Sequence, residues 1–421
     1  MPTPAEHSRY PYAAFAVCLV AYATSQMDLA LLGYAGPSIR NEFGLTLSGY
    51  MAVLAAAFVI AGILIVWFSL LADRGSRRGM FVFSLVASSV LVALHGLVAS
   101  VVMLALLRGT SIAAGGLTYP ITGAIIAEEF PARFRGLALG LLQIGYPLGW
   151  VLASFWAAWL LTDYNWRWLF LVGLVSLPLV AVVLAVIREP ARAVAARQSE
   201  GTKARWLELL SPALRRRTVL LFIAQFLFIW AYAGSVFLMP FYLAEHRGFD
   251  AAKFSELIGL GHAIGIGGYV LAALTGEFLL TRRTTVVIWT LLGAVMFQVM
   301  VWGTSGFGDL LIAYGLMSMF FYGSAAVKFA YLAEVFPTRL RATALSTSGS
   351  LAVTLGSATG PLMVSMAVET LGWNVGYALV VGIPLTLAGC LYLALTPVPS
   401  GLEVEEVEQL LSAGHESSQA P

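Results

Sequence analysis

The chain has 421 residues, of which 59% are hydrophobic and only 11% charged, against ~25% charged in ordinary soluble domains. With a mean hydropathy of +0.85, it has too little polar surface to stay dispersed in water and reads as a polytopic membrane protein. Its net charge of +2 gives no electrostatic case for a nucleic-acid partner.

A bilayer core takes about 20 apolar residues per helix. On that ruler the chain predicts twelve spans, at 12–36, 47–72, 79–100, 101–128, 137–161, 166–186, 218–244, 252–281, 284–303, 309–334, 342–370 and 376–395. Ala21-Tyr22-Ala23 offers a signal-peptidase site, but the apolar run continues well past it and no cleavage is expected. One long polar stretch, Arg188 to Arg217, separates spans six and seven and contains the amphipathic Trp206-Leu207-Glu208-Leu209-Leu210. The expected layout is a bundle at 1–187, a cytoplasmic linker at 188–217, a second bundle at 218–396 and an acidic cytoplasmic tail at 397–421. The N-terminal segment and the loops leaving even-numbered spans hold eighteen basic residues against four in the opposite loops. By the positive-inside rule both termini are expected in the cytoplasm. Cys18 and Cys390 both fall in apolar runs and read as buried small side chains.

The halves echo one another. Glu128-Glu129-Phe130-Pro131-Ala132-Arg133-Phe134-Arg135-Gly136 closes span four, and Glu334-Val335-Phe336-Pro337-Thr338-Arg339-Leu340-Arg341-Ala342 closes span ten, at an offset of 206. Such repeats mark alternating-access carriers. Ser69-Leu70-Leu71-Ala72-Asp73-Arg74-Gly75-Ser76-Arg77-Arg78 resembles the loop motif of the major facilitator superfamily, with two of its glycines replaced by Ser69 and Ser76. Arg108 with Gly115-Gly116, Gly145-Tyr146-Pro147-Leu148-Gly149, and Trp166-Arg167-Trp168-Leu169-Phe170 resemble that family's patterns in helices four, five and six. Ser25-Gln26-Met27-Asp28 is similar to the first-helix pattern of its proton-coupled organic-acid and metabolite symporters, retaining the second of two acids. The resemblance implies an all-α membrane protein, with twelve transmembrane helices in two six-helix pseudo-symmetric bundles.

Charge inside a bilayer is expensive, so each intramembrane ionisable group is a functional candidate. Asp28 and Arg108 lie at similar depth, about 12 and 10 Å from the outer side, so they can face one another. They serve either as a proton-coupling pair, a role the resemblance also implies, or as a permanent ion pair. Lys328 in span ten either draws a substrate carboxylate or snorkels or pairs with an acid. Gln143 and Gln225 are buried amides that must find partners, and the resemblance places their helices beside the transport cavity. Tyr119, Tyr146, Trp230, Tyr232 and Tyr322 either form an aromatic slot or pack and anchor. His262, amid glycines, either titrates near neutral pH or, as expected here, is a hydrogen-bonded packing residue. Asp73, Arg74, Arg77, Glu128, Arg133, Arg135, Glu334, Arg339 and Arg341 cluster at one end, as a salt-bridge gate or as simple anchoring.

No Walker loop, His-Glu-x-x-His or Cys-x-x-Cys is present, so neither ATP-driven transport nor metalloenzyme chemistry has its parts and no cofactor or metal is expected. The expected function is proton-coupled symport of a small organic anion, a carboxylate or aromatic acid, across a bacterial-type inner membrane. A monomer with a small-molecule substrate, a proton and lipid as its partners is expected. Proton-antiport export of a drug or metabolite is the alternative.

Overall fold

The computed structural model describes residues 4–74, 76–188, 206–336, 344 and 349–395. Every regular element among them is helical. We number the spans α1 (Pro4–Glu42), α2 (Leu47–Arg74), α3 (Arg77–Leu97), α4 (Val101–Glu129), α5 (Gly136–Asp163) and α6 (Trp166–Val186). The second half runs α7 (Leu214–His246), α8 (Ala251–Leu279), α9 (Arg282–Trp302), α10 (Phe307–Leu332), α11 (Ala352–Gly372) and α12 (Ala378–Leu393).

Among the described residues eleven apolar runs are long enough to cross a bilayer, because the last one, Gly349–Leu393, is continuous over 45 residues. It is two spans. Gly372 adopts φ +78°, a left-handed conformation that glycine reaches without strain. Beyond it the chain doubles back so closely that a Cβ on Gly376 would lie 2.5 Å from the Ala367 carbonyl oxygen. Twelve helices result, as expected, in two halves of six.

Within the first half α1 packs along α5 and α2 along α4; in the second, α7 packs on α11 and α12, and α9 on α12. The long seams between halves are α5 on α8 and α2 on α11. Three spans bend where the sequence demands it. Pro120 in α4 and Pro147 in α5 each lack the N–H that would bond four residues back, and the helices break at Leu117 and at Gln143–Ile144. In α10, Ser318–Tyr322 forms a π turn, a distortion found frequently at functional sites. Tyr119, Gln143, Tyr146 and Tyr322 lie at or within a few residues of these breaks.

Three expectations need correction or limit. Cys18 is buried, but Cys390 is exposed on the apolar outside of α12, where a lipid-facing cysteine needs no polar partner. Of the amphipathic linker motif, Trp206–Leu210 is a 3-10 turn, with Leu209 buried beneath Thr218. The remaining linker at 189–205, and the tail from 396 onward, lie outside the described residues.

Candidate functional site

Two buried charged sites are separated by a column of aromatic rings. The first lies inside the first half, between α1, α3 and α4. Ser25, Asp28, Ser88, Arg108 and Ser111 line a cavity of about 80 Å³ there. Asp28 and Arg108 are 4% and 1% exposed. They meet, but not as the carboxylate–guanidinium pair the depths suggested. Arg108 donates from Nη1 to the Asp28 main-chain carbonyl (3.3 Å) and from Nη2 to that of Leu29 (2.5 Å). Neither carboxylate oxygen of Asp28 has a donor among the described residues. The fork geometry of guanidinium explains this, since two successive carbonyls on one helix turn match its paired N–H groups.

The second site is Lys328, 3% exposed, one and a half turns beyond the π turn of α10. Its ammonium lies over the Phe228 ring of α7, and Nζ has no hydrogen-bond partner among the described residues. The side chain is buried rather than extended to the surface, and it pairs with no acid among the described residues. A desolvated cation over a ring face is worth about 2 kcal/mol; that contact leaves the N–H donors of the ammonium unused.

Rings fill the space between. Tyr232 is central, with Tyr322 at 4.8 Å, Tyr146 at 5.4 Å, Phe321 at 5.9 Å and Phe228 at 6.0 Å between centroids. The Tyr146–Tyr232 contact crosses between the halves. Gln143 accepts from Tyr22 (3.3 Å) and donates to the Tyr119 hydroxyl (2.9 Å), closing the first-half side. Tyr322 shares a hydrogen bond with Ser235 at 3.0 Å. Gln225 is buried one turn before Phe228 but is turned to α12, accepting from Tyr392 at 2.9 Å. Trp230 likewise donates to the Val380 carbonyl of α12. These two fall away from the others.

The sequence reading missed Trp150, Phe228 and Tyr22. Gln143, Tyr146 and Trp150 recur at helical spacing on α5, as do Phe228, Tyr232 and Ser235 on α7, so a periodicity count over the polar and aromatic residues alone would have found both faces. Gly149 lets α5 approach α1: a Cβ there would lie 2.6 Å from the Ala23 carbonyl oxygen.

Of the expected gate, Arg77 and Glu128 form an ion pair, and it joins α3 to α4 within one half. The side chains of Asp73, Arg74, Arg133, Arg135 and Glu334, and residues Arg339 and Arg341 altogether, lie outside the described residues. At that end the halves meet where the Glu277–Arg282 pair lies against Gly136. At the other end Arg40 of α1 pairs with Glu245 of α7 at 2.6 Å, and the Ser48 amide donates to Glu369 at 2.8 Å.

Comparison with known proteins fits this arrangement. Residues 18–281 match the Major Facilitator Superfamily. The chain belongs to that superfamily. It is 28% identical over 380 residues, 87% of this chain and 90% of the relative, to the cis,cis-muconate transport protein of Acinetobacter baylyi (strain ATCC 33305 / BD413 / ADP1). It is 25% identical over 374 residues, 86% of this chain and 88% of the relative, to the 3-(3-hydroxy-phenyl)propionate transporter of Escherichia coli (strain K12). A bacterial homologue of the human lysosomal transporter Spinster, inward-facing and unoccupied, shares the fold with a TM-score of 0.64 over 100% of both chains at 15% identity. These relatives are carriers, and this superfamily member is a multi-pass membrane transporter, not an enzyme.

Proposed function

We propose that this transporter carries a small organic anion, a carboxylate or aromatic acid, together with a proton by alternating access. The observation that carries the reading is Lys328, a buried ammonium with no hydrogen-bond partner among the described residues, beside a ring cluster where the two halves touch. A carboxylate entering that site would supply the missing charge and accept its donors, and the rings would hold an apolar or aromatic body. The names of the relatives, a muconate carrier and a hydroxyphenylpropionate carrier, support an organic acid.

Asp28 is the coupling site in this reading. A carboxylate without donors is costly in the bilayer unless it holds a proton. Arg108 sits beside it with its fork on main-chain carbonyls, so proton uptake need not break an existing ion pair. Loading both sites favours reorientation because it neutralises the donor-less Asp28 carboxyl and pairs the Lys328 ammonium, while Arg108 keeps its main-chain acceptors, and a carrier moves only by such differential stabilisation. Tyr119, Tyr232, Tyr322 and Gln143 line the route, while Gln225 supports the Phe228 turn. The protein works as a monomer of two bundles, 1–187 and 218–396, in the inner membrane with both termini cytoplasmic.

Reconstituted liposomes with an imposed proton gradient test this directly. Co-directional proton and carboxylate flux is expected, lost in Asp28→Asn, with KM raised about tenfold or more in Lys328→Ala, the loss expected of one desolvated charged contact. Counter-directional flux would favour the exporter reading, and flux indifferent to both substitutions would remove these assignments.

A further inference from the structure

His262 of α8 is 0% exposed and lies between two flat rings. Trp150 of α5 stacks on it at 5.1 Å and 7°, and Tyr322 of α10 at 5.5 Å and 29°. One wall comes from each half, so the imidazole sits on the seam that must open and close during transport. Its Nδ1 is 2.9 Å from the Ile258 carbonyl oxygen and 3.2 Å from the Tyr314 hydroxyl. A carbonyl can only accept, so Nδ1 carries the hydrogen, and the neutral ring presents Nε2 as a lone pair. That atom is buried and has no donor among the described residues. Buried acceptors in native proteins are almost always met, and among the described residues no helix supplies a donor here.

We infer that Nε2 of His262 accepts a hydrogen bond from a hydroxyl group of the substrate, and that the carrier therefore prefers hydroxylated organic acids to the same acids without the hydroxyl. This rests on the organic-acid reading given above. The ring column gives the geometry. Tyr322, against His262, touches Tyr232, which stacks on Phe228, which lies under Lys328. Lys328 is six residues beyond Tyr322 on the same helix, about 9 Å along its axis. An acid that holds its hydroxyl and its carboxylate at opposite ends of a ring has the arrangement of groups this column calls for. Lys328 would supply affinity for any carboxylate, and His262 would read the far end. Sites built to bond a hydroxyl reject analogues that lack it far more strongly than apolar pockets reject a missing methylene.

The test is calorimetric titration of the full-length protein in lipid nanodiscs with hydroxy-, methoxy- and unsubstituted phenylpropionates and benzoates. The methoxy compounds keep the oxygen but have no hydrogen to donate, and the unsubstituted acids add no bulk. The wild-type protein is expected to bind the hydroxy acids at least about tenfold tighter than either analogue, a comparison that needs no variant. His262→Phe keeps a flat ring in the stack and should compress the ratio below threefold, whereas His262→Gln retains an acceptor and should preserve most of it. Equal wild-type affinities, or an undiminished ratio in His262→Phe, would overturn the hydroxyl contact and leave the organic-acid reading standing. Binding of none of these acids would overturn both.

Discussion

Arg108 shows how one side chain can be legible as important and illegible in its task. A lone arginine in an apolar run stands out in any sequence, and its depth suggested a carboxylate partner. Its observed acceptors are the carbonyls of Asp28 and Leu29, which every residue possesses and which carry no sequence signal. The guanidinium therefore pins α1 to α4 through main chain, independently of the Asp28 side chain. Lysine, a point donor on a flexible stem, cannot bridge two carbonyls with the same geometry. Arg108→Lys is thus expected to lose about 1.5–3 kcal/mol of stability, the value of one hydrogen bond to a charged group. Asp28→Asn is expected to unfold within about 0.5 kcal/mol of wild type. Thermal unfolding in nanodiscs separates the two, and a larger loss in Asp28→Asn would mean that the carboxylate is structural. Lys328 was the opposite case: the lone charge was visible, but only the packing shows its Nζ over Phe228 without a hydrogen-bond acceptor among the described residues.

At the scale of elements, the described contacts between halves differ at the two ends of the seam. Where α1 and α2 meet α7 and α11, polar bonds cross between halves: Arg40 with Glu245, Arg40 over Phe241 at 5.9 Å, and Ser48 with Glu369. At the opposite end small residues let backbones touch, with Gly140 close to Ala273 and the Ala326 carbonyl. The Arg40 and Glu245 side chains are 21% and 30% exposed, so their pair is worth about 1 kcal/mol or less. That is enough to shift a two-state population about fivefold. Spin labels at the exposed Thr46 and Leu371, with Cys18 and Cys390 replaced by serine, should report a longer distance in about fivefold more molecules for Arg40→Ala. The exchange of Arg40→Glu with Glu245→Arg should restore the short distance, and an unchanged distribution in Arg40→Ala would exclude a latch. The sequence placed a charge cluster at the other end, because charges near helix ends are easy to count. It could not say which of them face across a seam, since that depends on how two halves are docked rather than on any local pattern. The aromatic column was half visible for the same reason: spacing on α5 and α7 marked the faces, but the stack of Trp150 on His262 exists only where two helices meet.

For the whole molecule, the twelve helices and their two halves were readable because bilayer thickness fixes the length of each apolar run. The hairpin at Gly372 was hidden in hydropathy alone, since apolar sequence runs straight through it. The separation of the two buried charged sites has one more consequence. In the cycle proposed above, Asp28 would take one positive charge when it is loaded, and Lys328 one negative charge when a monocarboxylate binds. The protein then carries the same net charge empty as it does full, and a one-to-one cargo adds none. Moving an elementary charge through the membrane field costs about 2.3 kcal/mol per 100 mV, so a carrier built this way escapes that cost in both directions. With voltage clamped by potassium and valinomycin, initial uptake of a monocarboxylate at fixed pH difference should be independent of membrane potential. A fully ionised dicarboxylate moving with one proton should be slowed by an inside-negative potential. A monocarboxylate rate that climbs with inside-negative voltage would instead mean that a second proton travels with it, and the cell would then drive this carrier electrically as well as chemically.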